Sequence, residues 1–247
     1  MKRPMNKAYG VLSGHYEELA ASDGYREWAE YVLKEVGENA KGKTGCDAAC
    51  GSGYFTRALK RAGYSVEGAD KSEDMLKVAQ SKSVSEGLSI NYYLCDLKNF
   101  RSFSKLDFIT VINDGVNYLS AQDIPKAFAA FHRALKKGGF LFFDISSEYK
   151  LEKVIGNNLF AEDLDDLTYL WFNSFSGDKV KMELSFFERE GEIYRRRDET
   201  HVQYVHTRGF IEDQLENAGF SVVKACGHLG SELTERSERI VFSAIKK

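Results

Sequence analysis

Residues 46–56, Cys46-Asp47-Ala48-Ala49-Cys50-Gly51-Ser52-Gly53-Tyr54-Phe55-Thr56, carry the reading that decides the fold. A short apolar run over 44–49 ends, two glycines turn the chain, and a helical pattern runs on to about residue 62. Glycine lets backbone approach a ligand closely, and the unpaired N–H groups of a fresh helix attract an anion. Asp70 lies 17 residues beyond Gly53, at the end of a second apolar run over 64–70. An acid there can accept hydrogen bonds from both hydroxyls of a ribose. The turn and the acid together point to a nucleotide-like ligand, either a dinucleotide or S-adenosylmethionine. The dinucleotide fingerprint wants a third glycine where Thr56 stands. Asp47, just ahead of the turn, suits a ligand amino group better than a pyrophosphate.

Outward from this turn, short apolar runs alternate with helical patterns. Residues 72–86 read as a helix, 90–95 as a third strand and 108–112 as a fourth. Ile124, Ala127, Phe128, Phe131 and Leu135 recur at helical spacing, with Asp123 and Pro125 at the start. Lys136 and Lys137 are expected in that helix's last turn, stopped by Gly138 and Gly139. The run 140–145 then reads as a strand buried on both faces. Alternating strands and helices argue for a parallel sheet covered on both sides.

The texture changes after about Ser147. Residues 167–206 read as three antiparallel strands with turns at Ser176-Gly177-Asp178 and near Gly191. Met182, Leu184 and Phe186 alternate there with Lys181, Glu183 and Ser185, a half-buried period of two. A helix over 208–218 and two strands, 220–225 and 239–245, complete the chain. The first 40 residues or so look helical. The expected organisation is a core of 1–147 and 207–247, with an inserted antiparallel subdomain over 148–206 that acts as a substrate lid or an interface.

The motifs at successive strand ends resemble those of the class I S-adenosylmethionine-dependent methyltransferases, and more loosely a bacterial small-molecule-type subgroup. Asp47 to Gly53 is similar to that family's first motif, with Ala49 in place of its usual first glycine. Cys95-Asp96-Leu97, Ile112-Asn113-Asp114 and Leu135-Lys136-Lys137-Gly138-Gly139 resemble later ones. The resemblance implies an α/β, doubly wound, mostly parallel seven-stranded sheet with an antiparallel C-terminal hairpin, plus the inserted β ribbon. It implies S-adenosyl-L-methionine as cofactor. Asp47 would lie at the ligand's ammonium, with Ala49, Gly51 and Gly53 at its carboxylate. Asp70 would hold the ribose, Asp96 would meet the adenine amine, and Met75 and Leu97 would wall the ring. Asn113 would lie under the methionine portion, and Tyr16, Tyr25 and Trp28 would close the site or simply pack.

Methyl transfer is an in-line displacement at a carbon already activated by a sulfonium, so the protein's task is alignment at about 3 Å. An acceptor that carries a proton also needs a base. The candidates for catalysis are Asp114, Asn117, Tyr118 and Tyr16, all read at the sheet's carboxyl edge, with Asp114, Tyr118 and Tyr16 favoured. His201 and His206, five apart, would face opposite sides of one strand and make poor joint metal ligands; each reads as solvated or structural. Cys46 and Cys50 lack a second Cys/His pair nearby and read as apolar filling rather than zinc ligands. Arg195-Arg196-Arg197 sits among Glu188, Glu190, Glu192, Asp198 and Glu199 and reads as a charge-paired ribbon, and Glu162 to Asp166 as a surface turn.

The 247 residues carry 34 Lys and Arg against 37 Asp and Glu, a net charge of −3, which offers no electrostatic footprint for nucleic acid. No apolar run approaches the ~20 residues of a membrane span, and no apolar stretch of a signal peptide follows the N-terminus. Four scattered cysteines suggest a reducing, cytoplasmic setting. The expected partner is a small-molecule methyl acceptor, on an N or O atom, for a monomer or homodimer. The rivals are an RNA or protein methyltransferase on the same fold, a cofactor-binding regulator without turnover, and a dehydrogenase.

Overall fold

The computed structural model describes residues 24–247; Tyr16 lies outside the described residues. The first described helix, α1 (Tyr25–Asn39), leads into β1 (Thr44–Ala48). There follow α2 (Tyr54–Arg61), β2 (Ser65–Asp70), α3 (Glu73–Ser85), β3 (Tyr92–Leu94), β4 (Leu106–Val111), α4 (Ile124–Ala134) and β5 (Leu135–Ser146). After an insertion, α5 (Arg208–Asn217), β10 (Phe220–Cys226) and β11 (Arg239–Lys246) close the fold. The seven strands form one sheet in the order β3-β2-β1-β4-β5-β11-β10. The five from β3 to β5 are parallel, and β11 runs antiparallel to both β5 and β10. The strand order reverses between β1 and β4, and a crevice opens at such a point beyond the strands' carboxyl ends.

Burial explains the sequence pattern. Phe140, Leu141, Phe142, Phe143 and Ile145 of β5 are wholly buried because helices cover both faces. On one face Phe143 and Phe242 join Phe128, Phe131 and Leu215 from α4 and α5. On the other, Phe140 and Phe142 pack with Trp28, Val32, Phe55 and Leu59 from α1 and α2. The junction before β5 differs from expectation. The helix stops at Ala134, and Lys136 and Lys137 are already extended. Leu135 pairs with Leu106 on β4, and Lys136 reaches Asp107 at 2.7 Å. Pairing with the sheet ends the helix before the glycines do.

The insertion forms a second antiparallel sheet of β6 (Leu159–Asp163), β7 (Leu167–Ser176), β8 (Lys179–Glu190) and β9 (Ile193–Tyr204). Three strands were expected. The fourth, β6, is almost wholly exposed and so carries no period-two signal. It takes in Glu162 and Asp163, read from sequence as a turn. Leu151, Val180, Met182, Leu184 and Phe186 make a small core beneath this sheet. Arg195, Arg196 and Arg197 pair with Glu190, Asp198 and Glu188, as a solvated ribbon requires.

Asn117 latches the second sheet to the main one. Buried Asn117 accepts the Ser146 N–H at 2.9 Å and donates to the carbonyls of Ser146 (3.2 Å) and Tyr204 (2.9 Å). The residues where the chain leaves the core and where it returns are therefore clipped together. The ring of His206 meets the Leu119 carbonyl at 2.9 Å. Strand β9 thus rests on segment 113–119, at the carboxyl edge of the main sheet.

Candidate active site

The turn after β1 is tied to the end of β2 by Asp70. One carboxylate oxygen accepts the Gly51 N–H at 2.9 Å, and the other accepts the Ser72 N–H at 2.8 Å. Ser72 in turn caps α3 through the Met75 N–H. Asp70 therefore fixes the glycine turn and the next helix start together. Gly53 is needed for two reasons: its φ is +78°, and a Cβ there would lie 2.6 Å from the Tyr92 hydroxyl. At Gly51 (φ +55°) the same Cβ would meet nothing, so that backbone stands open to the cleft. Ala49 replaces the usual glycine while keeping its left-handed backbone, at φ +57°.

Asp47 is buried, with 1% exposure. Its carboxylate accepts the hydroxyls of Thr56 (2.6 Å) and Thr110 (2.9 Å). Burial still pushes its pKa up to about 6, against the pull of both hydroxyls. Burial also raises Asp70, although two backbone N–H groups favour its charged form. Asp96 caps the turn at Leu97–Asn99, accepting the Lys98 N–H at 3.1 Å, with the Lys98 ammonium 3.6 Å away.

The floor of the site is strained. Asn113 (φ +61°) and Asp114 (φ +52°) are consecutive left-handed residues just past β4. Such conformations cost of order 1–3 kcal/mol each and need outside support. Asp144 of β5 supplies it. Its wholly buried carboxylate accepts the Asn113 N–H at 2.7 Å and the Asp114 N–H at 3.0 Å, and pairs with the Arg239 guanidinium. The Asn113 side chain is held by Tyr25 and by the Trp28 indole N–H at 3.1 Å. Arg239 lies over the Trp28 ring at 5.1 Å.

These residues line a cleft of about 940 Å³, open solvent at its mouth included. Of the residues singled out from sequence, Tyr25, Asp47, Ala49, Gly51, Asp70, Met75, Asp96, Leu97, Asn113 and Tyr118 line it. Three others stand behind the wall. The Gly53 N–H turns back to the Cys50 carbonyl. Trp28 is buried behind Asn113. Asp114 accepts hydrogen bonds from Ser146 and Gln203. Tyr16, expected in both binding and catalysis, lies outside the described residues. The donor set fits S-adenosylmethionine: two buried carboxylates for cationic and diol groups, an open glycine backbone for a carboxylate, and Met75 and Leu97 as apolar walls.

Sequence reasoning missed several residues here. Thr56 was read only as a missing glycine, yet its hydroxyl serves Asp47. His201 is 3% exposed and His206 2%, so of the solvated and structural alternatives the solvated one falls away. Tyr118 Oη is 3.1 Å from His201 Nδ1, and His201 Nε2 is 3.2 Å from Glu199, itself 1% exposed. The missed signal was β9's own alternation, because Glu199, His201 and Gln203 share its inward face.

A methyltransferase-domain family matches residues 46–139. YqeM of Bacillus subtilis (strain 168), named as a methyltransferase, is 33% identical over 243 residues, covering 96% of this chain and 97% of that protein. The crystal structure of an S-adenosylmethionine-dependent methyltransferase from Clostridium acetobutylicum ATCC 824 is also 33% identical. It superposes with a TM-score of 0.89 over 96% of this chain and 98% of its own. The sugar N-methyltransferase KedS8 from Streptoalloteichus shares the fold at 17% identity, with a TM-score of 0.80 over 100% of this chain and 99% of its own. The cleft at the strand-order reversal, its acids at three successive strand ends and the full-length match lead to one conclusion: the chain belongs to the class I S-adenosylmethionine-dependent methyltransferases.

Proposed function

We propose that this methyltransferase moves a methyl group to an N or O atom of a small polar molecule held between the cleft floor and the second sheet. The observation that carries this reading is the polar inward face of β9. Glu199, His201 and Gln203 are 1–5% exposed, and two of them bond to Tyr118 and Asp114 beside the cleft. A purely structural sheet would present apolar residues there. When bound, S-adenosylmethionine supplies the activated methyl carbon. The chain's residues orient it: Asp70 would hold the ribose, Asp96 the adenine, Asp47 the ammonium side, and Tyr25 with Asn113 the methionine portion. Tyr118 and β9 would face the acceptor and exclude water. The full-length fold shared with KedS8 is compatible with an amine on a small polar molecule. Arg195, Arg196 and Arg197, the arginine run of the second sheet, are already paired with acids, which weighs against a polyanionic acceptor. The four thiols are free, and among the described residues no helix is long and apolar enough to cross a membrane; we place the protein in the cytoplasm.

Incubation with methyl-labelled S-adenosylmethionine and separate pools of metabolites, RNA and protein tests the acceptor class. Label is expected in the metabolite pool. Label in RNA or protein alone would overturn the small-molecule reading. Tight cofactor binding with no transfer to any pool would favour a regulator.

A further inference from the structure

We propose that Tyr118, His201 and Glu199 form a proton relay that takes the acceptor's proton during methyl transfer, with Tyr118 touching the acceptor and the other two acting through it. This rests on the function proposed above and adds a way out for the proton. Tyr118 lines the cleft, and its hydroxyl is 3.1 Å from His201 Nδ1. His201 Nε2 is 3.2 Å from the Glu199 carboxylate. With Glu199 as a carboxylate, which only accepts hydrogen bonds, Nε2 carries the imidazole proton. Nδ1 is then a lone pair, and the Tyr118 O–H donates to it. This is the nucleophile–base–orienter logic of hydrolytic triads, applied to an acceptor's proton rather than to a protein nucleophile.

The step balances. The acceptor's lone pair forms the new bond to the methyl carbon, and the electron pair of the broken carbon–sulfur bond stays on sulfur as a neutral thioether. The acceptor's proton passes to Tyr118 Oη as the tyrosine's own proton moves to His201 Nδ1. The resulting imidazolium lies against Glu199, and its proton returns to water after product release. The surroundings favour this direction. The Lys71 ammonium sits 4.6 Å from the centre of the Tyr118 ring and stabilises negative charge on the phenol. Across the sheet, His201 faces uncharged Met182 on β8. Asp114 is engaged by Gln203 and Ser146 rather than by the imidazole. Tyr118 and Glu199 contact the His201 ring directly, with Lys71 over the Tyr118 ring and Asp114 on Gln203 of the same strand face. Position on the insertion's inward face explains why a residue over 80 positions from Tyr118 in sequence meets it.

The relay is tested with 15N-histidine-labelled full-length protein and with methyl transfer from labelled donor into a small-molecule extract. In the saturated S-adenosylhomocysteine complex, the imidazole proton of His201 is expected on Nε2. Tyr118→Phe should shift its Nδ1 resonance, and Glu199→Gln should let the two tautomers mix. His201→Asn can keep a polar bond to Tyr118 but cannot take a proton. It should bind S-adenosylhomocysteine within threefold of wild type, yet transfer methyl at least a hundredfold more slowly at pH 7, recovering partly toward pH 9.5. A purely structural histidine would be rescued by asparagine. An Nδ1-protonated tautomer, an imidazolium that persists from pH 6 to 9, or wild-type transfer by His201→Asn would each overturn the relay. Wild-type protein that fails to bind S-adenosylhomocysteine would instead contradict the function proposed above, while the tautomer still judges the relay.

Discussion

Asp70→Ala is expected to weaken S-adenosylhomocysteine binding at least a hundredfold in calorimetry, whereas Asp96→Ala costs about tenfold or less. The difference follows from what each carboxylate holds. Asp70 is 7% exposed, and each of its oxygens also fixes a backbone N–H, at Gly51 and at Ser72. A ribose diol would add two charge-assisted hydrogen bonds, each worth ~1.5–3 kcal/mol. Alanine removes those bonds and also unties the glycine turn from the start of α3. Asp96 is half-exposed on a short turn, already paired with Lys98, and would offer one bond to an adenine amine. Met75 and Leu97 would continue to wall the ring after its loss. Equal losses, or a larger one at Asp96, would move the ribose elsewhere. The same titrations carry a pH signature. Burial raises Asp70 above its ordinary value and Asp47 to about 6, so the Asp47 site takes up a proton in the unliganded protein as pH falls through about 6. Binding that prefers the charged carboxylate releases that proton. Wild-type affinity should therefore be level above about pH 7 and fall as pH drops from 6 to 5.

Asp144→Ala is expected to destabilise the fold by about 3–5 kcal/mol, the cost of leaving one partner of a buried ion pair alone. For a chain of this size that lowers Tm by roughly 6–20 °C. The carboxylate is wholly buried, pairs with Arg239, and holds two consecutive left-handed residues by their N–H groups. Its removal strands the Arg239 charge and lets Asn113 and Asp114 relax, so the cleft floor moves as well. Asp144→Asn keeps an acceptor for the turn and should lose less stability. A calorimetric Tm for Asp144→Ala within 2 °C of wild type would mean that the turn is held by other contacts.

The core was legible because its signals are local. Asp47 to Gly53 brings the turn, the positive φ angles and the helix start within seven residues, and Asp70 and Asp96 stand where successive parallel strands must end. The period-two run at Met182, Leu184 and Phe186 revealed β8 for the same reason. What stayed hidden depends on contacts between distant segments. Asp144 sits inside an apolar strand, and nothing in FLFFDI says that its acid grips a turn 30 residues earlier. The relay joins position 118 to positions 199 and 201 across an insertion, and spacing alone set His201 beside His206 instead of Tyr118. Strand β6 went unseen because an exposed edge strand need not alternate.

The proposed division of labour between the two sheets, donor in the cleft and acceptor beneath the insertion, is tested most directly by replacing residues 159–203 with a short Gly-Ser linker. The latch residues Asn117, Ser146 and Tyr204 remain in that variant, so the main sheet keeps its own contacts. S-adenosylhomocysteine affinity should stay within a few-fold of wild type, because Asp47, Asp70, Asp96 and the glycine turn all belong to the core. Labelled-methyl transfer into the small-molecule pool should be abolished. Full transfer by the shortened protein, with a changed mass in solution, would contradict this division and make the second sheet a contact between copies of the chain.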